Sequence, residues 1–217
     1  MTGQPTGQPT GQPTGQPTGQ PTGQRVSSWN IANALTVFRI VLVPFVAWLL
    51  LARDGDDAWL RLGAFGLFAL ASYTDKVDGD LARSRGLITD FGKIADPIAD
   101  KLLLGAVFIG LSLLGEVWWW LTVVILVREV GITLLRFVVI RYGVIAASPG
   151  GKLKTVLQMA AAGLYLLPRE QWLAGAPTAL AVVQGALLVL LLAAAAVTAV
   201  TGVDYLVRAR RLVRGGR

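Results

Sequence analysis

Six stretches of this chain are long enough and apolar enough to reach across a bilayer, and this limits the fold more than any other feature. A spanning helix needs roughly 20 apolar residues at a rise of about 1.5 Å each. Such runs lie at about 33–52, 58–76, 94–114, 117–140, 153–168 and 176–206. In hydrocarbon, helices and closed barrels are the structures that satisfy their own backbone polar groups. The pattern therefore predicts an all-α polytopic membrane protein, with six transmembrane helices around a polar cleft. Residues 2–24 are different. They repeat Thr-Gly-Gln-Pro without a charge or a large apolar side chain, so they cannot bury enough surface to offset their ordering entropy. Three parts are expected: a disordered tail over 1–24, a membrane domain over 25–207 and a basic tail over 208–217.

An even number of spans puts both termini on one side, and the basic residues identify it. With the N-terminus inside, the inner segments hold 14 of the 20 Lys and Arg residues, among them Lys76, Arg83, Arg85, Lys93, Lys101, Arg141, Lys152, Lys154 and the arginines from Arg208 onward. The outer segments hold only Arg53, Arg61 and Arg169 beside several acids. Both termini are thus expected in the cytoplasm of a bacterial-type plasma membrane. The C-terminal arginines are expected to attract anionic lipid. The net charge of +7, distributed in this way, points to a membrane surface and not to nucleic acid.

The most polar stretch of the apolar region is Asp75–Lys101. Asp75 and Asp78 are three residues apart, and Asp96 and Asp100 are four apart. On helices, each spacing puts a pair of carboxylates on one face. The chain has neither Cys nor His, so any metal site must be built from oxygen, which suits Mg²⁺ or Mn²⁺. The plainer alternative is that these acids are loop residues paired with Arg83, Arg85, Lys93 and Lys101. A cation transporter lined by the aspartates is a further alternative, although it would need acids along several spans near the midplane.

The run from Asp75 through Asp78-Gly79, Ala82-Arg83, Gly92 and Asp96 to Asp100 matches the spacing D-x2-D-G-x2-A-R-x8-G-x3-D-x3-D. In this it resembles the CDP-alcohol phosphotransferases, a family that joins an alcohol to the phosphate of a CDP-linked lipid and releases CMP. The resemblance covers about residues 27–206. It implies a pair of divalent ions, Mg²⁺ or Mn²⁺, on Asp75, Asp78 and Asp96 with Asp100 beside them, and Asp100 as the base that deprotonates the attacking hydroxyl. A carboxylate of pKa ~4 is a weak base, but it becomes useful once a metal acidifies the alcohol. The resemblance further implies that Gly79, Ala82, Arg83, Thr89 and Gly92 face the CDP part, and that the protein is a homodimer.

Asn33, Thr36 and Arg39 at the start of the first span also match the family's opening, where this helix lines the nucleotide site. Two plainer readings stay open: Asn33 and Thr36 simply start the helix, and Arg39 snorkels to the interface. For the acceptor, Arg128 and Arg136 lie inside the fourth span, and Lys152 and Lys154 follow a Gly-rich turn at the fifth. Such a turn with Lys at a helix start can hold phosphate. Together these residues resemble the branch of the family that uses CDP-diacylglycerol as donor and glycerol 3-phosphate as acceptor. They are accordingly expected to bind the acceptor's phosphate. Alternatives are that Lys152 and Lys154 only set topology, that Arg128 and Glu129 pair to pack helices, and that the acceptor is inositol phosphate, serine or phosphatidylglycerol.

Overall fold

The structure is a computed structural model that describes residues 31–85, 89–139 and 149–215, and all regular elements among them are helical. α1 spans Ile31–Leu51 and passes through a 3-10 turn, Ala52–Gly55, into α2, Ala58–Arg85. α3 covers Asp90–Leu113, α4 Trp119–Val139 and α5 Pro149–Leu166. A short α6, Arg169–Trp172, leads to α7, Pro177–Gly215.

Local sequence explains most of the boundaries. The Asp57 carboxylate accepts from the amides of Trp59 and Leu60 at 2.9 and 3.1 Å and so starts α2. Thr89, in extended conformation, accepts from the Gly92 amide and starts α3. Prolines 149 and 177 occupy the first positions of α5 and α7, where a missing N–H costs nothing. α3 stops at Gly115, whose φ of +76° is a conformation that L side chains rarely adopt. There the Gly115 amide donates to Ser112 O, and the Glu116 amide reaches back to Leu111 O at 2.9 Å. This is the paired closure of a Schellman motif.

The helices form a ring. α1 packs on α2 and α3, α3 on α4, α4 on α7, α7 on α5, and α5 back on α2. Val46, Leu50, Leu103, Phe108, Leu121, Ile125, Leu166 and Leu191 fill the centre. Large apolar side chains also cover the outside, including Trp48, Trp59, Leu70, Ile109, Val127, Val156 and Val189. A helix in water turns a polar face outward, so this surface suits lipid.

Among the described residues, two segments are long and apolar enough to cross a membrane by length and composition alone, Asn33–Gly55 and Pro177–Arg211. The other four long helices carry ionisable residues within their length, such as Arg61 and Asp75 on α2, Asp96 and Asp100 on α3, Arg128, Glu129 and Arg136 on α4, and Lys152 and Lys154 on α5. The expected bounds also shift, because helix geometry does not end where apolarity ends. α2 runs through the aspartate motif to Arg85, and α7 carries the basic segment on to Gly215. The predicted tail over 1–24 lies outside the described residues.

One end of the ring is closed by a buried ionic triad. Arg61 donates to both oxygens of Glu116, at 2.5 and 3.0 Å, and Arg169 donates to Glu116 as well. Arg61 also donates to Gly55 O and Tyr165 O, so the triad ties together the three turns at this end. Removing Glu116 would leave two buried guanidinium groups without their carboxylate. Glu116→Ala is expected to cost about 3–5 kcal/mol, read as a lowered unfolding midpoint of the detergent-solubilised protein.

Candidate active site

At the opposite end of the ring, α1 is stitched to α2 and α3 by polar side chains. The Arg39 side chain is fully buried, and its Nη1 lies 2.8 Å from Asp75 Oδ1 on α2 and 2.9 Å from Asp100 Oδ1 on α3. Arg39 therefore does not snorkel; it draws two of the predicted aspartates to one nitrogen. Those carboxylates stay accessible, with side-chain exposures of 41% for Asp75 and 50% for Asp100. Asp75, Asp96 and Asp100 are all helical, which removes the loop alternative for these three.

One turn nearer the start of α3, Thr36 Oγ1 donates to Asp96 Oδ1 at 2.5 Å. The Thr89 hydroxyl donates to Asn33 Oδ1 at 2.9 Å and accepts from the Gly92 amide at 3.0 Å. A Cβ at position 92 would stand 3.0 Å from Asn33 Oδ1, so glycine is what allows α1 to approach here. Asn33 and Thr36 are thus not simply helix starters. They sit inside α1 and bond across to α3. Asn33, Thr36, Thr89 and Gly92, all expected to face the CDP part, form a buried α1–α3 seam beside the aspartates.

Asp78, Gly79, Ala82 and Arg83 lie on the last turns of α2, and their side chains lie outside the described residues. Among the described residues, no group of three or more metal-ligating side chains is assembled.

From Asp75 and Asp100 a cavity of about 560 Å³ opens between α3, α4, α5 and α7. Arg128 and Arg136 of α4 line it, as do Lys152 and Lys154 of α5. All four predicted phosphate-binding residues therefore share one space with the two aspartates. Lys154 Nζ donates to Glu129 Oε1 at 2.5 Å, and Arg128 Nη1 donates to the same oxygen at 3.1 Å. The wall of α7 was not expected. Thr201, Asp204, Tyr205 and Arg208 face the cavity from it, and Arg128 Nη2 donates to Thr201 Oγ1 at 3.0 Å. The sequence held a signal for them, since these polar residues recur at helical spacing after an apolar run.

Carboxylates at one end of a cavity and cations along its walls suit an anionic molecule that also offers a hydroxyl or a metal-bound phosphate. The comparisons with known proteins agree. Residues 29–203 match the family described as CDP-alcohol phosphatidyltransferase, and residues 1–25 match a repeat described as PT disordered repeat. The chain belongs to the CDP-alcohol phosphatidyltransferase family, whose members are generally dependent on divalent metal ions. It is 49% identical over 188 residues to the probable phosphatidylglycerophosphate synthase of Mycobacterium tuberculosis strain H37Rv, covering 87% of this chain and 85% of that one. It is 40% identical over 148 residues to the CDP-diacylglycerol–glycerol-3-phosphate 3-phosphatidyltransferase of Bacillus subtilis, covering 64% of this chain and 77% of the relative. The enzyme of the same description from Rickettsia typhi is 42% identical over 139 residues, covering 64% and 76%.

Arg39 holds Asp75 and Asp100 in place from a fully buried position, so its loss should release both. Because displacements of about 1 Å in an active site can cost about 100-fold in rate, Arg39→Met is expected to lower kcat at least about that much. CMP release from CDP-diacylglycerol by purified protein reads this directly. Retention of more than about a tenth of the rate would show that Asp75 and Asp100 are positioned without it.

Proposed function

We propose that this protein is a membrane-embedded phosphatidyltransferase that transfers the phosphatidyl group of CDP-diacylglycerol to glycerol 3-phosphate, giving phosphatidylglycerophosphate and CMP. One observation carries the choice of acceptor: Asp100 and the cations Arg128, Arg136, Lys152 and Lys154 line a single cavity. An acceptor with a phosphate at one end and a hydroxyl at the other spans such a space. The names of the relatives point the same way.

In this reading the four cations hold the acceptor's phosphate, and Asp100 takes the proton of its primary hydroxyl. A bond forms from that oxygen to the β-phosphorus of the donor, and the bond from phosphorus to the CMP oxygen breaks. Arg83, Gly79 and Ala82 face the CDP part, and Asn33, Thr36, Thr89 and Gly92 support that site from the α1–α3 seam. Arg39 acts through Asp75 and Asp100.

The donor set fits a hard divalent ion. Asp75 and Asp100 offer accessible carboxylate oxygens at one spot, Asp96 stands one turn away on α3, and no nitrogen or sulfur ligand competes. Asp75, Asp78, Asp96 and Asp100 would hold Mg²⁺ or Mn²⁺, as two ions on the family resemblance. When bound, such ions neutralise diphosphate charge and acidify a nearby hydroxyl.

Six of the helices cross the membrane in this reading, as a multi-pass protein of a bacterial-type plasma membrane with both termini and the cavity on the cytoplasmic side. The placement of the two polar clusters supports it. Asp75, Asp100, Arg136, Lys154 and Arg208 share one end of the ring, while Arg61, Glu116 and Arg169 share the other. Consecutive long helices therefore run in alternating directions. Residues 1–24 form the tail, 25–207 the catalytic domain and 208–217 a basic extension toward anionic lipid. The homodimer rests on the family resemblance.

Asp100→Asn removes the base while keeping size and shape, and should abolish CMP release with Mg²⁺ or Mn²⁺ present. EDTA should do the same to the unaltered protein, reversibly on adding metal back. Lys154→Ala should raise the KM for glycerol 3-phosphate at least about tenfold, the scale of one lost charged contact. The KM for CDP-diacylglycerol should change less than about twofold. Equal changes in the two constants would place Lys154 outside the acceptor site.

A further inference from the structure

Glu129 is out of place in a site for an anionic acceptor. It is 9% exposed, it lines the cavity, and like charges in a poorly solvated space repel strongly. A carboxylate there should weaken phosphate binding unless it does something that outweighs the repulsion.

Its contacts show what that is. One oxygen, Oε1, accepts from Lys154 Nζ at 2.5 Å, from Arg128 Nη1 at 3.1 Å and from Gln158 Nε2 at 3.4 Å. Gln158 is itself held by Thr198 Oγ1 at 2.9 Å, and Arg128 by Thr201 Oγ1 at 3.0 Å. A carboxylate of α4 thereby fixes an ammonium of α5 and a guanidinium of its own helix, and the guanidinium and Gln158 connect on to α7. Lys and Arg side chains are long and lose much rotamer freedom when they bind. Holding them beforehand removes that cost from substrate binding. Arg128 is confined from its other side too, because a Cβ at Gly202 would come within 3.0 Å of its Cγ.

We propose that Glu129 is a positioning residue for the acceptor. It presets Lys154 and Arg128 so that both meet the acceptor's phosphate together, and it acts through them without touching the substrate. This deepens the acceptor assignment made above and rests on it.

A double-mutant cycle on the purified full-length protein tests the proposal. Glu129→Ala should raise the KM for glycerol 3-phosphate about tenfold or more, with kcat and the KM for CDP-diacylglycerol within about twofold. Because Glu129 acts through Lys154 as well as Arg128, Glu129→Ala added to Lys154→Ala should raise the acceptor's KM by a clearly smaller factor than it does alone, since residues sharing one network are not additive. Gly202→Ala alters no charge but crowds Arg128, so it should raise the acceptor's KM selectively. It also keeps the test decisive if Glu129→Ala folds poorly. Effects of Glu129→Ala and Lys154→Ala that multiply would overturn the proposal. So would equal rises in both substrates' KM values, or an acceptor KM that stays level or falls in Glu129→Ala and Gly202→Ala. An unchanged acceptor KM in Lys154→Ala alone would overturn the acceptor assignment and this proposal together. A Lys154→Ala effect without a Glu129→Ala or Gly202→Ala effect would overturn the positioning alone.

Discussion

The active end of this bundle depends on a single buried guanidinium. Two carboxylates brought to one spot repel each other, and in a poorly solvated site that repulsion is large. Arg39 compensates it with a charge that burial makes strong and with a planar group that holds its geometry. Because Asp75 is on α2, Asp100 on α3 and Arg39 on α1, the same contacts also set how three helices meet. Thr36 to Asp96 and Thr89 to Asn33 extend that junction along the α1–α3 seam. Structural and chemical demands coincide there, so a change to Arg39 acts on both.

Polar groups elsewhere follow a simple distribution. The middle of the ring is packed with aliphatic and aromatic side chains, and the outer surface is apolar. Charge is concentrated at the two ends. One end has Glu116 shared between Arg61 and Arg169, with further backbone carbonyl acceptors for both arginines. The other has more cations than acids along an open cavity. The first arrangement is buried and holds turns together. The second has charge to spare, which is what a site for a multiply charged anion requires.

Much of this was legible in the residues. The 75/78 and 96/100 spacings put the aspartates on helix faces, and Asp75 and Asp100 do meet across α2 and α3. The cations of Arg128, Arg136, Lys152 and Lys154 share one cavity with those two aspartates. Other features could not be read. Arg39 fitted a snorkelling residue as well as a site residue, because its partners lie roughly 36 and 61 positions away in the chain and come near only through tertiary packing. The Arg128–Glu129 pair, one of the readings open from the sequence, is present at 3.1 Å, whereas the ties of Glu129 to Lys154 and Gln158 cross from α4 to α5 and could not be read. The apolar runs did not mark the helix ends, since the chain stays helical beyond them at the aspartate motif of α2 and the arginine-rich end of α7. Hydropathy marks where lipid ends, whereas backbone hydrogen bonding marks where a helix ends.

The central claim is that the cavity joins a CDP-linked lipid to an alcohol that carries its own phosphate. The most direct measurement supplies purified protein, CDP-diacylglycerol and Mg²⁺ or Mn²⁺ with one acceptor at a time: glycerol 3-phosphate, glycerol, serine, inositol phosphate or phosphatidylglycerol. The lipid product is then identified by mass spectrometry. Phosphatidylglycerophosphate formed from glycerol 3-phosphate, with little product from the others, is the predicted result. Efficient transfer to glycerol or serine, which have no phosphate for the cationic wall to hold, would contradict it.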